Sequence, residues 1–286
     1  MQVRMAEHLG MCFGVRDAID LALDLTRQGP LTILGDLVHN PDVVARMDAA
    51  GAVRARDRRE VRTPAVLLTA HGTADRVKLE LREQGLEVHD ATCPLVARVH
   101  LALARLVAEG RHPVVIGQPN HVEVRGLVGD LDECTIINDV ADLTRLDAKL
   151  GREPAARLGV VAQTTQPLER VQELVAALRA RFPDADVRFI DTVCQPTKDR
   201  QEALRKLVRE SDVVVVVGGP DSNNSRKLAE LARQLGRPAH QVAGAAELRP
   251  EWFAPGAVVG LTAGTSTPDR VIDEVQAWLE ALEPAA

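Results

Sequence analysis

The sequence contains no tyrosine, and its 286 residues include two tryptophans and four phenylalanines. So few aromatic side chains leave no obvious platform on which nucleic acid bases could stack. The net charge is −6 at neutral pH, and no basic tail or run is present. Because nucleic acid binding depends largely on basic surfaces, we expect no nucleic acid partner.

Long apolar runs are also missing. Residues 1–10 lack the apolar stretch of about 7–15 residues that a secretory signal contains. No later segment approaches the roughly 20 apolar residues that a membrane-spanning helix needs. We therefore expect a soluble cytoplasmic protein without a membrane partner.

Cysteine is scarce, with four residues in the chain. In a cytoplasmic protein, so few cysteines favour a metal or redox role over disulfides. Cys12, Cys93 and Cys194 each precede a helical pattern, and Cys93 follows a short extended run. Such strand-to-helix junctions are where α/β proteins place their chemistry. Cys134 has no counterpart and is predicted to be structural.

The spacing after these three cysteines indicates an internal repeat. The next polar loop after an apolar strand lies 27 residues on at His39, 28 on at His121 and 28 on at Ser222. A second such loop follows each cysteine, after 59, 71 and 72 residues respectively, at His71, Thr164 and Ser266. Isolated structural residues have no reason to recur in this order. We interpret the chain as three copies of one unit whose loops could converge about a pseudo-threefold axis.

The fold class follows from runs of Val, Ile and Leu that alternate with helical patterns, as in Val213–Val217. Such continuous apolar strands are typical of parallel sheets covered on both faces. We predict an α/β protein of three similar small domains with mainly parallel sheets. Their predicted boundaries are 11–93, 94–190 and 191–286, with residues 1–10 packing on the third. Segment 130–155 is predicted to be an edge strand and a surface loop.

The predicted loops carry hydrogen-bond donors and few fixed charges. Ligands of open α/β sheets bind beyond the carboxyl ends of the strands, where helix N-termini favour anions. Donors near helix N-termini suit phosphate oxygens, although Ser, Thr and Asn there could equally be helix caps. Glu123 is the one carboxylate in the recurring loops and is the natural proton donor. The candidate donors are His39, His71, His121, Thr164, Thr165, Ser222, Asn224 and Ser266.

The three recurring thiolates are soft ligands that suit an iron–sulfur cluster or zinc. Three protein ligands rather than four would leave one coordination position open for a substrate, as catalytic metal sites require. The residues alone leave both metals open.

The ordered motifs resemble the 4-hydroxy-3-methylbut-2-enyl diphosphate reductase (LytB) family along essentially the whole chain. Several of these motifs are weak alone, but the ordered set is specific. The matching motifs are Gly10-Met-Cys-Phe-Gly-Val15, Val38-His-Asn40, Ala70-His-Gly72, Asp90-Ala-Thr-Cys-Pro-Leu-Val96, His121-Val-Glu123, Gln163-Thr-Thr165, Cys194 with Thr197 and Arg200-Gln-Glu-Ala203, Ser222-Asn-Asn-Ser225, and Thr262-Ala-Gly-Thr-Ser266 with Pro268-Asp269.

This resemblance implies a reductive removal of the allylic hydroxyl that yields isopentenyl and dimethylallyl diphosphate. It implies a 4Fe-4S cluster on Cys12, Cys93 and Cys194 at the centre of a trefoil of three α/β domains. Catalytic roles would fall to Glu123, Thr164 and His121. An electron donor such as ferredoxin or flavodoxin is also implied. The implied substrate-binding residues are His39, His71, His121, Thr165, Ser222, Asn223, Asn224 and Ser266.

Some residues beside the implied site depart from the usual family pattern. Phe13 replaces a small residue, Val122 replaces a proline and Pro196 replaces an alanine. Asn223 replaces a serine, and Arg226-Lys227 replaces an Asn-Arg pair. These departures leave a divergent paralogue with another substrate as one alternative. A cluster-bearing sensor without turnover is a second alternative, but it would have no need of Glu123.

Overall fold

The computed structural model describes residues 1–150 and 156–282. These residues form twelve strands, which are short and often rich in β-branched side chains. The strands are β1 (Gln2–Met5), β2 (Leu31–Leu34), β3 (Val53–Ala55), β4 (Ala65–Leu68), β5 (Glu87–Asp90), β6 (His112–Ile116), β7 (Thr135–Ile137), β8 (Arg157–Ala162), β9 (Asp186–Phe189), β10 (Val213–Val217), β11 (Ala239–Val242) and β12 (Val258–Ala263).

Ten α-helices connect the strands within the described residues. They are α1 (Phe13–Gln28), α2 (Pro41–Ala49), α3 (Asp75–Glu83), α4 (Pro94–Ala108), α5 (Val122–Val128), α6 (Thr144–Leu150), α7 (Leu168–Arg181), α8 (Gln195–Arg209), α9 (Asn223–Gln234) and α10 (Asp269–Ala281).

The strands form three parallel sheets of four strands each. Their orders are β3-β2-β4-β5, β7-β6-β8-β9 and β11-β10-β12-β1. The three sheets share one arrangement. If the strands of each sheet are counted along the chain, with β1 counted as the fourth strand of the third sheet, the first and third strands are central and the fourth lies at an edge. In the third sheet this fourth strand comes from the chain start, since Gln2–Met5 pairs in parallel with Val258–Leu261.

Both faces of the sheets are covered, as β10 demonstrates. Its five consecutive valines are all buried. Val213, Val215 and Val217 pack in a cluster that includes residues of α10. Val214 and Val216 pack on the opposite face with residues of α8 and α9. A continuous run of valines therefore forms this strand because each successive side chain enters an apolar layer.

The predicted α/β class with three similar parallel sheets is confirmed. The predicted edge strand in segment 130–155 is also confirmed as β7, which lies at the edge of its sheet. The predicted surface loop is wrong for residues 144–150, which form α6 because Leu146 and Leu150 bury themselves in the core of that sheet. The rest of that predicted loop, residues 151–155, lies outside the described residues.

The described chain divides into two compact units. The first comprises Met1–Asp20, Val38–Ala50 and Gln195–Ala286, and it contains the sheet of β1, β10, β11 and β12. The second comprises Leu21–Leu37 and Gly51–Cys194, and it contains the other two sheets. The three domain boundaries and the trefoil stay predictions. None of the described helices has both the length and the apolar character needed to cross a bilayer.

Candidate functional site

Cys12, Cys93 and Cys194 occupy equivalent positions in the fold. Each follows the fourth strand of its sheet and immediately precedes a helix. Each cysteine also donates its backbone N–H, at 3.0 Å, to a carbonyl in the loop that follows the third strand. The acceptors are Thr265 for Cys12, Ala70 for Cys93 and Thr164 for Cys194. The recurrence predicted from sequence spacing thus corresponds to a repeated backbone geometry.

These positions suit metal ligands. None of the three cysteines is in a disulfide, and all three are partly exposed. The amino end of the following helix carries the positive end of the helix dipole, which favours an anionic ligand. Cys134 is different, because burial raises the pKa of its thiol to about 12. Its Sγ lies 3.7 Å from the Thr135 carbonyl, to which it donates.

Within the described ranges, no three His, Cys, Asp or Glu side chains are grouped to hold a single metal ion. Thiolates of an iron–sulfur cluster bind different irons, so they need not converge in this way. Three recurring soft thiolates are a donor set that fits an iron–sulfur cluster.

The first unit contains a group of polar residues at the amino end of α9. Ser222 caps this helix, because its side-chain oxygen accepts a hydrogen bond from the backbone N–H of Ser225. The hydroxyl of Ser266 donates to the His39 carbonyl at 3.3 Å. Gly219 packs against the same segment, since a Cβ there would lie 3.2 Å from the His39 carbonyl oxygen. The structure thus brings His39, Ser222 and Ser266 into neighbouring loops.

Asn224 supplies a buried donor in this group. Its side chain is 3% exposed, and its amide nitrogen has no hydrogen-bond partner within the described part of the chain. Such a group is costly to bury unless a ligand or water satisfies it. The neighbouring Asn223 is arranged differently, since its side-chain oxygen accepts from Arg226 at 3.0 Å.

Glu123 and Thr164 form a buried pair in the second unit. One carboxylate oxygen accepts the backbone N–H of Thr164 at 2.7 Å, and the other accepts the Thr164 hydroxyl at 2.8 Å. Glu123 is 2% exposed and Thr164 is 4% exposed. Within the described residues, no basic side chain contributes to the pKa of this carboxyl. The pair is therefore an acid held by hydrogen bonds instead of an ion pair.

Burial raises the pKa of Glu123 to about 7, against the opposing effect of the two hydrogen bonds from Thr164. Desolvation penalises the charged carboxylate, whereas the hydrogen bonds favour it. A pKa near neutrality lets one side chain hold and release a proton at physiological pH. Glu123 can consequently serve as a general acid.

His121 and His71 lie beside this acid in the second unit. His121 caps α5, where its Nδ1 accepts the backbone N–H of Glu123 at 3.1 Å. A neutral His121 must then carry its proton on Nε2, which becomes a donor. The rings of His71 and His121 meet edge to face, with centroids 5.9 Å apart. Sequence positions 50 residues apart are thereby brought into contact.

A close backbone approach produces this contact. A Cβ at Gly126 would lie 2.8 Å from the carbonyl oxygen of Gly72. Gly72 itself has a φ of +83°, a conformation that glycine adopts without strain. Glycine at both positions thus lets α5 pack directly on the loop that carries His71.

Two residues escaped the sequence analysis as individual participants, although both lie inside quoted motifs. Gln163 is fully buried, and its side-chain oxygen accepts from the Gln118 N–H and from the Gln166 amide. Its own amide donates to the Thr165 hydroxyl at 3.2 Å. The other residue is Ser225, which is fully buried beside Ser222. Both act through neighbours, so residue type and spacing alone do not reveal them.

The fold and the site define an α/β protein with three recurring cysteines, a buried acid and hydrogen-bond donors in the loops after its parallel strands. The chain belongs to the LytB protein family, whose model matches residues 3–280. The matched range covers every described strand and helix apart from the first residue of β1 and the last residue of α10.

Named relatives are similar along nearly the whole chain. A 4-hydroxy-3-methylbut-2-enyl diphosphate reductase of Methylibium petroleiphilum is 41% identical over 98% of this chain and 85% of that protein. A reductase of the same name from Anaeromyxobacter sp. is 38% identical over 99% of this chain and 98% of that protein.

Solved structures of reductases are similar in fold. The E-1-hydroxy-2-methyl-but-2-enyl-4-diphosphate reductase of Plasmodium falciparum has a TM-score of 0.89 and 27% identity, over 98% of this chain and 87% of that one. A second structure, of an (E)-4-hydroxy-3-methyl-but-2-enyl diphosphate reductase described as the terminal enzyme of the non-mevalonate pathway, has a TM-score of 0.68. It is 36% identical, over 99% of this chain and all of that one.

Proposed function

We propose that this protein catalyses the reductive dehydroxylation of (E)-4-hydroxy-3-methylbut-2-enyl diphosphate. The reaction consumes two electrons and two protons, breaks the allylic carbon–oxygen bond, forms one carbon–hydrogen bond and releases water. Its products are isopentenyl and dimethylallyl diphosphate. The observation that carries the proposal is the buried Glu123–Thr164 pair in a chain of the LytB family.

Glu123 is the proton source in this proposal. Hydroxide is a poor leaving group, so breaking the carbon–oxygen bond needs a proton at that oxygen. The Thr164 hydroxyl can give its proton to the substrate hydroxyl and take one from the Glu123 carboxyl, with which it shares a hydrogen bond of 2.8 Å. The pKa of about 7 keeps a large fraction of Glu123 protonated at neutral pH.

The substrate diphosphate is held by local donors in this proposal, because the chain is acidic overall. The proposed donors to its oxygens are His39, His71, His121, Thr165, Ser222, Asn224 and Ser266. Asn223 belongs to the same predicted set. The unpartnered amide nitrogen of Asn224 supports this assignment, because a buried donor without an acceptor needs one from a ligand.

Cys12, Cys93 and Cys194 would hold a 4Fe-4S cluster in this proposal, as their equivalent positions and partial exposure suggest. When bound, the cluster would supply the electrons and an iron that acts as a Lewis acid. A ferredoxin or flavodoxin as electron donor and a cytoplasmic location belong to the same proposal.

The test is an assay of anaerobically purified protein with its iron and sulfide restored, using a chemical reductant and the diphosphate substrate. The expected result is oxidation of the reductant with release of isopentenyl and dimethylallyl diphosphate. Binding of the substrate without loss of water would overturn the reductase in favour of the sensor. Turnover of a different allylic diphosphate in its place would identify a divergent paralogue.

A further inference from the structure

We propose that Ser225 is a positioning residue that makes the Ser222 hydroxyl an obligate hydrogen-bond donor to a phosphate group. The inference rests on the proposed function, since it concerns how that site recognises the diphosphate. Ser225 itself has no part in the proposed reaction.

The hydrogen bonds at Ser222 carry the first step. Its side-chain oxygen accepts the Ser225 hydroxyl at 2.9 Å and the Ser225 backbone N–H at 3.4 Å. A serine hydroxyl has two lone pairs and one proton. Both lone pairs are engaged by Ser225, so any further partner of Ser222 must accept its proton. No residue in the described ranges accepts that proton.

The position of Ser225 is fixed by two glycines. A Cβ at Gly218, directly after β10, would lie 2.0 Å from the Ser225 oxygen, and a Cβ at Gly264, directly after β12, would lie at the same distance. The Ser225 side chain therefore fills a slot between the ends of two central strands. Thr267 lies beside the slot, since a Cβ at Gly218 would also lie 3.4 Å from its hydroxyl oxygen, which donates to the Val217 carbonyl at 2.9 Å. Ser225 is fully buried, so its hydroxyl has little freedom to turn away from Ser222.

Asn224 points independently to a ligand at this place. Its buried amide nitrogen is a donor without a partner within the described residues. It neighbours Ser222 at the amino end of α9, a helix of twelve residues. Two donors that lack an acceptor, at the positive end of a helix, define a site for an acceptor with negative charge. A phosphate group has this chemistry, whereas a cation or a hydrogen-bond donor would be rejected.

Loss of the Ser225 hydroxyl has a predictable effect. One lone pair of Ser222 becomes free, so its hydroxyl can rotate and form competing hydrogen bonds. A hydrogen bond between neutral groups contributes enough that affinity should fall about three- to tenfold. The turnover number at saturating substrate should change little, because Ser222 does not touch the bond that breaks.

The experiment measures the affinity of reconstituted holoprotein for inorganic pyrophosphate and the kinetics with the diphosphate substrate. The variants are Ser225→Ala, Ser222→Ala and the double variant. We expect Ser225→Ala to weaken pyrophosphate binding about three- to tenfold and to raise KM without lowering kcat. In the double variant, Ser225→Ala should not weaken pyrophosphate binding beyond the loss caused by Ser222→Ala, because Ser225 acts through Ser222. Ser225→Gly provides a second removal of the hydroxyl should the methyl group of alanine disturb folding.

Ser211 offers a matched control in the same unit. It is 3% exposed, its hydroxyl donates to Leu207 at 2.8 Å, and its oxygen lies 2.5 Å from where a Cβ of Gly260 would be. Ser211→Ala thus removes another buried serine hydroxyl packed on a glycine of β12, and pyrophosphate affinity should be unchanged.

Three results would overturn the inference. They are wild-type affinity in Ser225→Ala and Ser225→Gly, additive losses in the double variant, and an equal loss in Ser211→Ala. Wild-type protein that does not bind pyrophosphate would overturn it as well. Protein that binds pyrophosphate with the expected variant pattern but never reduces the allylic substrate would sustain the inference and overturn the proposed function.

Discussion

The backbone N–H of Cys194 donates to the carbonyl of Thr164 at 3.0 Å. The same Thr164 donates its own N–H and its hydroxyl to Glu123. A predicted cluster ligand and the predicted acid are therefore tied to one threonine. In the proposed reaction, this connection would fix the acid relative to the place where the hydroxyl leaves.

Glu123→Gln should abolish most turnover. Glutamine has a similar volume and can still hydrogen-bond to Thr164, but it cannot deliver the proton. Turnover should fall by about 10²-fold or more, because a positioned acid contributes roughly 10²–10⁴-fold. Binding of the substrate should persist. The control is Glu83→Gln, at an exposed position of the same unit. If Glu123→Gln turned over at the wild-type rate, another group would have to be the acid.

Turnover should depend on pH through Glu123. The acid is competent when protonated, so the turnover number should be high below pH 7 and should decline as the pH rises through about 7. Thr164→Val removes a hydrogen bond that lowers the pKa of Glu123, so the remaining activity should decline at a higher pH. Thr164→Ser keeps the hydroxyl and serves as the control. A pH–rate profile that is identical in wild type and Thr164→Val would contradict this assignment.

Iron binding should distinguish the four cysteines. Replacing Cys12, Cys93 or Cys194 with serine should lower iron and sulfide content and change the visible spectrum, since each would remove a proposed ligand. Cys134→Ser should leave both unchanged, because burial raises the pKa of that thiol to about 12 and keeps it protonated. Stoichiometric zinc without sulfide in anaerobically made protein would refute the cluster.

Replacing His39 or His121 with alanine should weaken substrate binding while the cluster stays intact. Hydrogen bonds to a charged group contribute more than neutral ones, so the loss should be on the order of 10–100-fold. Because His121 also caps α5, His121→Ser tests the two roles separately by retaining a capping oxygen. It should bind as weakly as His121→Ala. The control is His8→Ala, at an exposed position. If both His39→Ala and His121→Ala bound the substrate with wild-type affinity, these loops would not belong to the substrate site.

Gly126→Ala should disturb the contact between α5 and the loop of His71. The added Cβ would lie 2.8 Å from the Gly72 carbonyl oxygen, so one backbone must shift. Overpacking of this kind typically costs about 1–3 kcal/mol of unfolding free energy. Thermal unfolding should show the loss, and substrate affinity should fall with it. The control is Gly29→Ala, which should leave stability unchanged because a Cβ there meets nothing within 4 Å. If Gly126→Ala were as stable as the wild type, the close contact would not require glycine.

Sequence periodicity was sufficient to predict the parallel sheets and their repetition. Five consecutive valines at Val213–Val217 could be a strand only if both faces were covered, and they are. Periodicity was not sufficient to predict the pairing of β1, because Gln2–Met5 pairs with the last strand of the chain. Such a pairing is set by which edge remains open in the folded sheet, and no local pattern encodes that.

Residue type and spacing also predicted which groups could carry the chemistry. The thiols ahead of α1, α4 and α8, the one carboxylate and the set of donors are properties of the side chains themselves, whatever their surroundings. The tertiary structure decided how these groups behave. Glu123 has a pKa near 7 because the fold removes it from water, and Ser222 can only donate because Ser225 occupies both of its lone pairs. Both effects arise from burial and orientation, which exist only once segments distant in sequence are packed together.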